Sequence, residues 1–210
     1  MPWPRIFYGW WVVMACFTIS LYIGSVVFWG FTAFFEPLIQ EFKWSYAQVS
    51  FAASLRGLEM GVFAPIVGVL VDRYGSRKLI FWGMVTVGLG LIVLSQTHSL
   101  ATFYAAFILI AFGAGGCTSV VLLVAVANWF QRNVGKAMGI TACGFGAAGL
   151  MVPLIVRLID AHGWRTSLVV LGLGTFALGA PMAFVVRDRP EDYGLRPDGE
   201  SATRPGDDEE

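Results

Sequence analysis

The sequence predicts an all-α integral membrane protein with six transmembrane helices arranged as a 3+3 inverted repeat, and three observations lead there. The first is composition: 57% of the 210 residues are hydrophobic, 15% aromatic and only 13% charged, with a mean hydropathy of +0.69. A soluble domain carries about 25% charged residues. The second is the spacing of charge, which leaves six apolar runs separated by short polar turns; a crossing takes about 20 residues. The third is a displacement of 88 positions that carries Gly61, Pro65, Leu70, Asp72, Gly75 and Arg77 onto Gly149, Pro153, Leu158, Asp160, Gly163 and Arg165. Three spans separate the copies, so they enter the membrane in opposite directions.

Residues 8–35 are the first span, entered past Trp10 and Trp11. Arg5 precedes it, but the run is far longer than the roughly 7–15 residues of a signal-peptide core, so it stays as an anchor. Residues 36–44 make an amphipathic connection, and Ser45 with Gln48 forms a capping box that opens the second span, 46–71. The third is 79–96, with Gly83, Gly88 and Gly90; Thr97, His98 and Ser99 turn the chain back. The fourth, 100–127, holds the small-residue patch 113–119, where backbone can approach backbone or substrate. In the fifth, 135–157, Gly135, Gly139, Cys143 and Ala147 recur at four-residue spacing and read as a tight packing face, while Pro153 bends the outer end. Asp160 and Arg165 are expected to close the turn around Gly163 that leads into the sixth span, 166–186. Cys16, Cys117 and Cys143 show neither metal spacing nor a disulfide pattern and are expected to be small packing residues. Trp3, Tyr74, Trp82, Tyr104, Trp129 and Trp164 stand at span ends and read as interfacial belt residues.

Basic residues orient the chain. Arg5, Arg73, Arg77, Lys78, Arg132, Lys136, Arg187 and Arg189 share one side, against Lys43, Arg157 and Arg165 on the other. Both termini are therefore expected in the cytoplasm and the protein in the cell membrane. Fourteen basic residues balance fourteen acidic ones, which leaves no electrostatic case for nucleic acid. From Pro190 the composition turns to Gly, Pro and acid, so residues 190–210 are expected to be a disordered cytoplasmic tail or interdomain linker behind a six-helix domain at 1–189.

The turn at 68–78 is the most informative stretch. Asp72, Arg73, Arg77 and Lys78 cannot lie in hydrocarbon without a penalty of several kcal/mol, so they sit at a surface. Gly75 can adopt positive φ for the reversal, and Gly68, one helical turn before Asp72, leaves room for a neighbouring helix. Arg56 and Glu59 are the charges placed deep in a span. Arg56 stands ten residues into its helix, about 15 Å at 1.5 Å per residue and near the middle of a core about 30 Å thick. Two readings stand side by side: a self-neutralising i, i+3 pair, or an arginine that binds a substrate carboxylate while Glu59 positions it or exchanges a proton. Tyr22, Ser25 and Trp29 are further candidates for a cavity wall. His98 and His162 occupy separate external turns with no nucleophile or metal-ligand neighbour, so neither an enzyme, a metal site nor a cofactor is expected.

Gly68, Asp72, Arg73, Gly75, Arg77 and Lys78 match, at every defined position, the loop signature of the major facilitator superfamily between its second and third helices. The chain resembles that superfamily over essentially its whole length. Asn128, Trp129 and Phe130 followed by 135–140 look like its turn from the fourth to the fifth helix, with Asn133 and Val134 where an arginine is more usual. Residues 9–13, 35–45 and 189–195 look more narrowly like the monocarboxylate porter and oxalate/formate antiporter branch.

The resemblance implies a secondary transporter working by alternating access on a small organic anion. It makes Asp72 the anion of a conformational latch to a helix terminus in the other half, with Arg73, Arg77 and Lys78 as cationic partners; the alternative is a plain positive-inside anchor. Such transporters have two six-helix halves, and this sequence holds the first. The expected partners are the lipid bilayer, the anion and a missing C-terminal half or a homodimer partner. The alternative is a degenerate or truncated half acting as a non-transporting membrane interaction module.

Overall fold

The computed structural model describes residues 7–188 and 190–193. The expectations for Trp3, Arg5, Arg189 and residues 194–210, and for the side chains of Arg56 and Glu59, lie outside the described residues. The first leg is α1 (Tyr8–Ile23), a π-helical segment Gly24–Trp29, a 3-10 segment Gly30–Phe34 and α2 (Phe35–Phe42). Lys43, at φ 56°, stops α2 in the left-handed region. The second leg, α3 (Tyr46–Tyr74), opens on the foreseen capping box, with the Gln48 amide donating to Ser45 Oγ (3.2 Å) and the Ser45 amide to Gln48 Oε1 (2.8 Å). The third is α4 (Ser76–Ser95). Ser99 and Thr102 form a second such box at the start of α5 (Leu100–Gly115), which breaks at 116–118 and resumes as α6 (Ser119–Ala127). The fifth leg is α7 (Val134–Ala147), a 3-10 turn Ala148–Met151 and the first part of α8 (Val152–Val185), with Pro153 at its opening.

Four helical runs among the described residues are long and apolar enough to cross a membrane: Tyr8–Phe42, Ser76–Ser95, Leu100–Ala127 and Val134–Val185. The last has 52 residues, about 78 Å if it ran straight, against a hydrocarbon core of about 30 Å. It turns at Gly163 (φ 76°, ψ 160°). Gly75, between α3 and α4, has φ 82° and ψ 156°. The two glycines related by the 88-position displacement therefore share one backbone conformation, a region essentially closed to other residues. Each ends one helix and starts the next. The result is a bundle of helical legs with no strand among the described residues.

Glycine holds α4 in place. A Cβ at Gly113 would fall 2.7 Å from the Val87 amide nitrogen, one at Gly116 2.7 Å from Leu79 O, and one at Gly172 3.0 Å from Gly88 O. The small-residue patch of the fourth span thus meets the backbone of α4. Because lipid tails are as apolar as leucine, such backbone approach is what drives helix association in a membrane. Gly113→Leu is expected to cost roughly 1–3 kcal/mol or more through overpacking. Gly139→Leu has open space and is expected to cost nothing measurable. Thermal unfolding of the two variants in detergent checks the contrast.

The stripe Gly135, Gly139, Cys143 and Ala147 is not a packing face of this bundle. Among the described residues, no atom comes within 4 Å of a Cβ at Gly135 or Gly139, and Cys143 is exposed, unlike the buried Cys16 and Cys117. α7 packs instead through Gly144, whose Cβ would meet Phe17 O at 2.6 Å. A four-residue stripe marks one face of a helix but not what that face meets. Among the described residues, α3 behaves alike: Gly57, Gly61 and Gly68 all have open space where a Cβ would stand. The expected neighbour of Gly68 is therefore not in the described part of this chain.

Candidate functional site

Polar side chains gather at each end of the bundle. At the basic face, the turn between α3 and α4 meets the ends of α6 and α8. Asp188 Oδ1 accepts from the Arg77 amide at 2.8 Å, and its carboxylate lies where a Cβ on Gly75 would project, 2.5 Å from that position. An anion there answers the unpaired amides and positive end of α4. Asn128 Nδ2 donates to Asp188 O at 3.1 Å and Trp129 Nε1 to Arg187 O at 2.8 Å. The Arg187 guanidinium is 4.5 Å from the Tyr8 ring and 4.0 Å from that of Tyr193. Tyr8 Oη donates to Val185 O at 2.9 Å, so the start of the first leg and the end of the last meet on this face. Glu191–Tyr193 is a 3-10 turn, so the start of the expected disordered tail is folded back onto Arg187.

At the opposite face the repeat-related elements do the same work. The turn at Gly163 meets the ends of α2 and α4. Arg165 Nη2 donates to Glu41 Oε1 at 2.8 Å and to Thr97 O at 3.1 Å, while Nη1 donates to Ser95 O at 2.7 Å. Trp164 Nε1 donates to Glu41 Oε2 at 2.6 Å. Arg165 and Glu41 are 33 and 43% exposed, so their pairing alone adds only about 0–1 kcal/mol. The fastening comes from the two backbone carbonyls and from the Trp164 ring, 4.5 Å from the guanidinium. Arg165 thus joins three legs instead of closing its own turn with Asp160, which is exposed.

Two aromatic expectations change. Trp129 (0% exposed) and Trp164 (6%) are buried and hydrogen-bonded, not belt residues. Both carry an indole N–H that a span end can satisfy inside the bundle, and each is drawn in by a long-range acceptor. Tyr74 and Trp82 are exposed as a belt requires; Tyr104 donates to Gln48 O at 2.9 Å.

Between the two ends, the first leg is irregular where a midplane site would lie. Ser25, in the π-helical segment, sits 2.5 Å from Leu21 O and 3.0 Å from Ala148 O. Tyr22 Oη donates to Leu171 O at 2.7 Å. Both line one cavity of about 290 Å³ with Leu154 and Ile155, and both hydroxyls are committed to backbone carbonyls, that of Tyr22 on the sixth leg and that of Ser25 between its own leg and the fifth. Arg56 and Glu59 stand three positions apart on α3, the helix that carries Gly57 and Gly61 on an open face. Asp72 is exposed, with no ion pair among the described residues. Arg73 lies 5.5 Å from the Tyr74 ring, and Arg77 5.3 Å from that of Phe184 on α8. Asp188, Glu41 and Trp129 were not singled out as site residues from the sequence.

The family model described as Major Facilitator Superfamily matches residues 4–206. Among curated proteins, the chain is 31% identical to the Fujikurins efflux protein of Gibberella fujikuroi over 68% of its length. It is 27% identical to Monocarboxylate transporter 7 of Homo sapiens over 79%. With the Membrane sensor protein UhpC of Salmonella typhimurium it shares 27% over 87%. The matched stretches cover 31, 32 and 42% of those three proteins, so the chain spans well under half the length of these relatives.

Proposed function

This chain belongs to the Major Facilitator Superfamily, and from that premise we propose that it forms one six-helix half of a secondary transporter for a small organic anion, a mono- or dicarboxylate, working by alternating access. The observation that carries the reading is the pair of open glycine faces on α3 and α7, repeat counterparts that both turn away from the bundle. In lipid such faces are helix-packing surfaces. A second six-helix body seated on them completes the bundle, and rocking of the two bodies opens a midplane site to either side in turn.

Arg56 is the proposed carboxylate ligand, with Glu59 positioning it or exchanging a proton, and Tyr22 and Ser25 supporting the irregular wall of the first leg. Asp72, exposed at the end of α3, is the proposed latch to a helix terminus of the second body, and the basic face is the cytoplasmic one. Residues 1–189 then form the membrane domain and 190–210 the linker. Similarity to monocarboxylate transporters 7 and 2 supports an anionic substrate.

Uptake of lactate, oxalate and formate into liposomes tests the reading. Saturable uptake is expected when the chain is completed with a second six-helix half and not from the 210-residue chain alone. Uptake by the chain alone that rises with cross-linked dimer would establish a homodimer instead. The similarity to a membrane sensor protein favours a second reading, a non-transporting module that binds the anion and signals through a partner. Saturable anion binding without uptake by the completed protein is its signature.

A further inference from the structure

We propose that the groove between α3, α4 and the α5–α6 leg holds an anionic glycerophospholipid of the adjoining leaflet, one acyl chain laid along the groove and its phosphate on Lys78. The groove encloses about 620 Å³. α3 lines it from Ile66 to Tyr74 and α4 from Lys78 to Thr86, a depth of about 12 Å at 1.5 Å per residue. Tyr74 and Lys78 mark its surface end, because α3 and α4 run in opposite directions from the turn at Gly75.

Its walls suit a hydrocarbon chain. Thr86 Oγ1 donates to Trp82 O at 2.8 Å and Thr118 Oγ1 to Gly115 O at 3.1 Å, so both hydroxyls are occupied within their own helices. Trp82 and Phe112, 65 and 59% exposed, form open apolar lips. In a bilayer an apolar groove fills with lipid and not with water. The mouth selects the headgroup: Lys78 lines it and has no ion pair among the described residues, while Asp72 and Arg73, exposed and next to Tyr74 in sequence, offset one another and leave the lysine's charge in excess.

The repeat supplies an internal comparison. The displacement that relates the two copies carries Gly83 onto Leu171. Leu171 lies in the smaller cavity of about 290 Å³ between the first, fifth and sixth legs, where Tyr22 Oη reaches across to its carbonyl. Among the described residues, no cation lines that cavity. The same architecture is lined by uncharged residues near one face and carries a lysine at its mouth near the other.

The proposal needs only membrane insertion, so it stands or falls apart from transport. The 210-residue chain is placed in nanodiscs of mixed phosphatidylcholine and phosphatidylglycerol, and retained lipid is identified by native mass spectrometry. Phosphatidylglycerol is expected to be retained preferentially, and Lys78→Gln to reduce that preference roughly fivefold, the weight of one basic residue at an anionic surface. Gly115→Leu plugs the groove; among the described residues its Cβ would meet only Val67 Cγ2, at 3.8 Å, so the fold accepts it. It is expected to abolish retention of either lipid, while Gly146→Leu, which has open space elsewhere, leaves retention intact. Equal retention of both lipids by the wild type, or unchanged retention in a folded Gly115→Leu, overturns the proposal. Lys78→Gln, at an exposed position, keeps the headgroup test independent of groove packing.

Discussion

Arg56→Lys is expected to reduce carboxylate uptake by the completed protein roughly tenfold to a hundredfold, since one hydrogen bond to a charged group is worth about 1.5–3 kcal/mol. Lysine keeps the charge but not the planar fork that grips a carboxylate through two parallel N–H bonds. The amount of protein in the membrane is expected to stay constant, because the substitution leaves the charge in place. If Arg56 only neutralised Glu59 within α3, lysine would serve almost as well and uptake would barely move. Substrate affinity separates the cases: an unchanged affinity in Arg56→Lys rejects the ligand role. Glu59→Gln adds a second test, for a proton-exchanging Glu59 predicts a lost pH dependence of uptake at neutral net drive.

The two turn glycines offer the next largest effect, because one serves as control for the other. Gly75 and Gly163 share a conformation that costs about 1–3 kcal/mol for any other residue. A Cβ on Gly163 meets nothing within 4 Å among the described residues, so Gly163→Ala bears that strain alone. A Cβ on Gly75 would stand 2.5 Å from the Asp188 carboxylate and drive it off the start of α4. Gly75→Ala is therefore expected to lose a further amount of about 0.5–2 kcal/mol, the usual worth of a helix cap. Denaturation of both variants in the same detergent gives the difference. In an Asp188→Ala background the two substitutions should become equal, and a difference that persists there refutes the capping role.

Local signals were legible. The Ser45 and Gln48 box depends on residues three apart, and it forms as read. The displacement that pairs Gly75 with Gly163 reads through to matching dihedral angles because both glycines answer the same steric demand at a reversal. The all-helical membrane class followed from composition together with the length of the apolar runs. What a helix face meets was not legible, since periodicity carries no information about the neighbour. Gly139 and Gly144 lie on one helix, yet one faces open space and the other the Phe17 carbonyl. Trp129 and Trp82 both stand at span ends, and only the reach of the Trp129 indole to Arg187 O, 58 positions away, distinguishes buried from exposed. Asp188 escaped for the same reason: its partner at Arg77 is 111 positions distant, and no short motif contains both.

That separation also sets a timetable. Arg77 leaves the ribosome 111 residues before Asp188, and at about 5–20 residues per second the wait is roughly 5–20 s. Through that interval the start of α4 sits among lipid headgroups without its protein anion. Glu41 waits still longer for Arg165, 124 positions on. The early helices must therefore persist as inserted but unfastened rods, and both ends of the bundle lock only as its final helices arrive. A chain halted before residue 165 would carry neither fastening, which makes late truncation products natural substrates for membrane quality control.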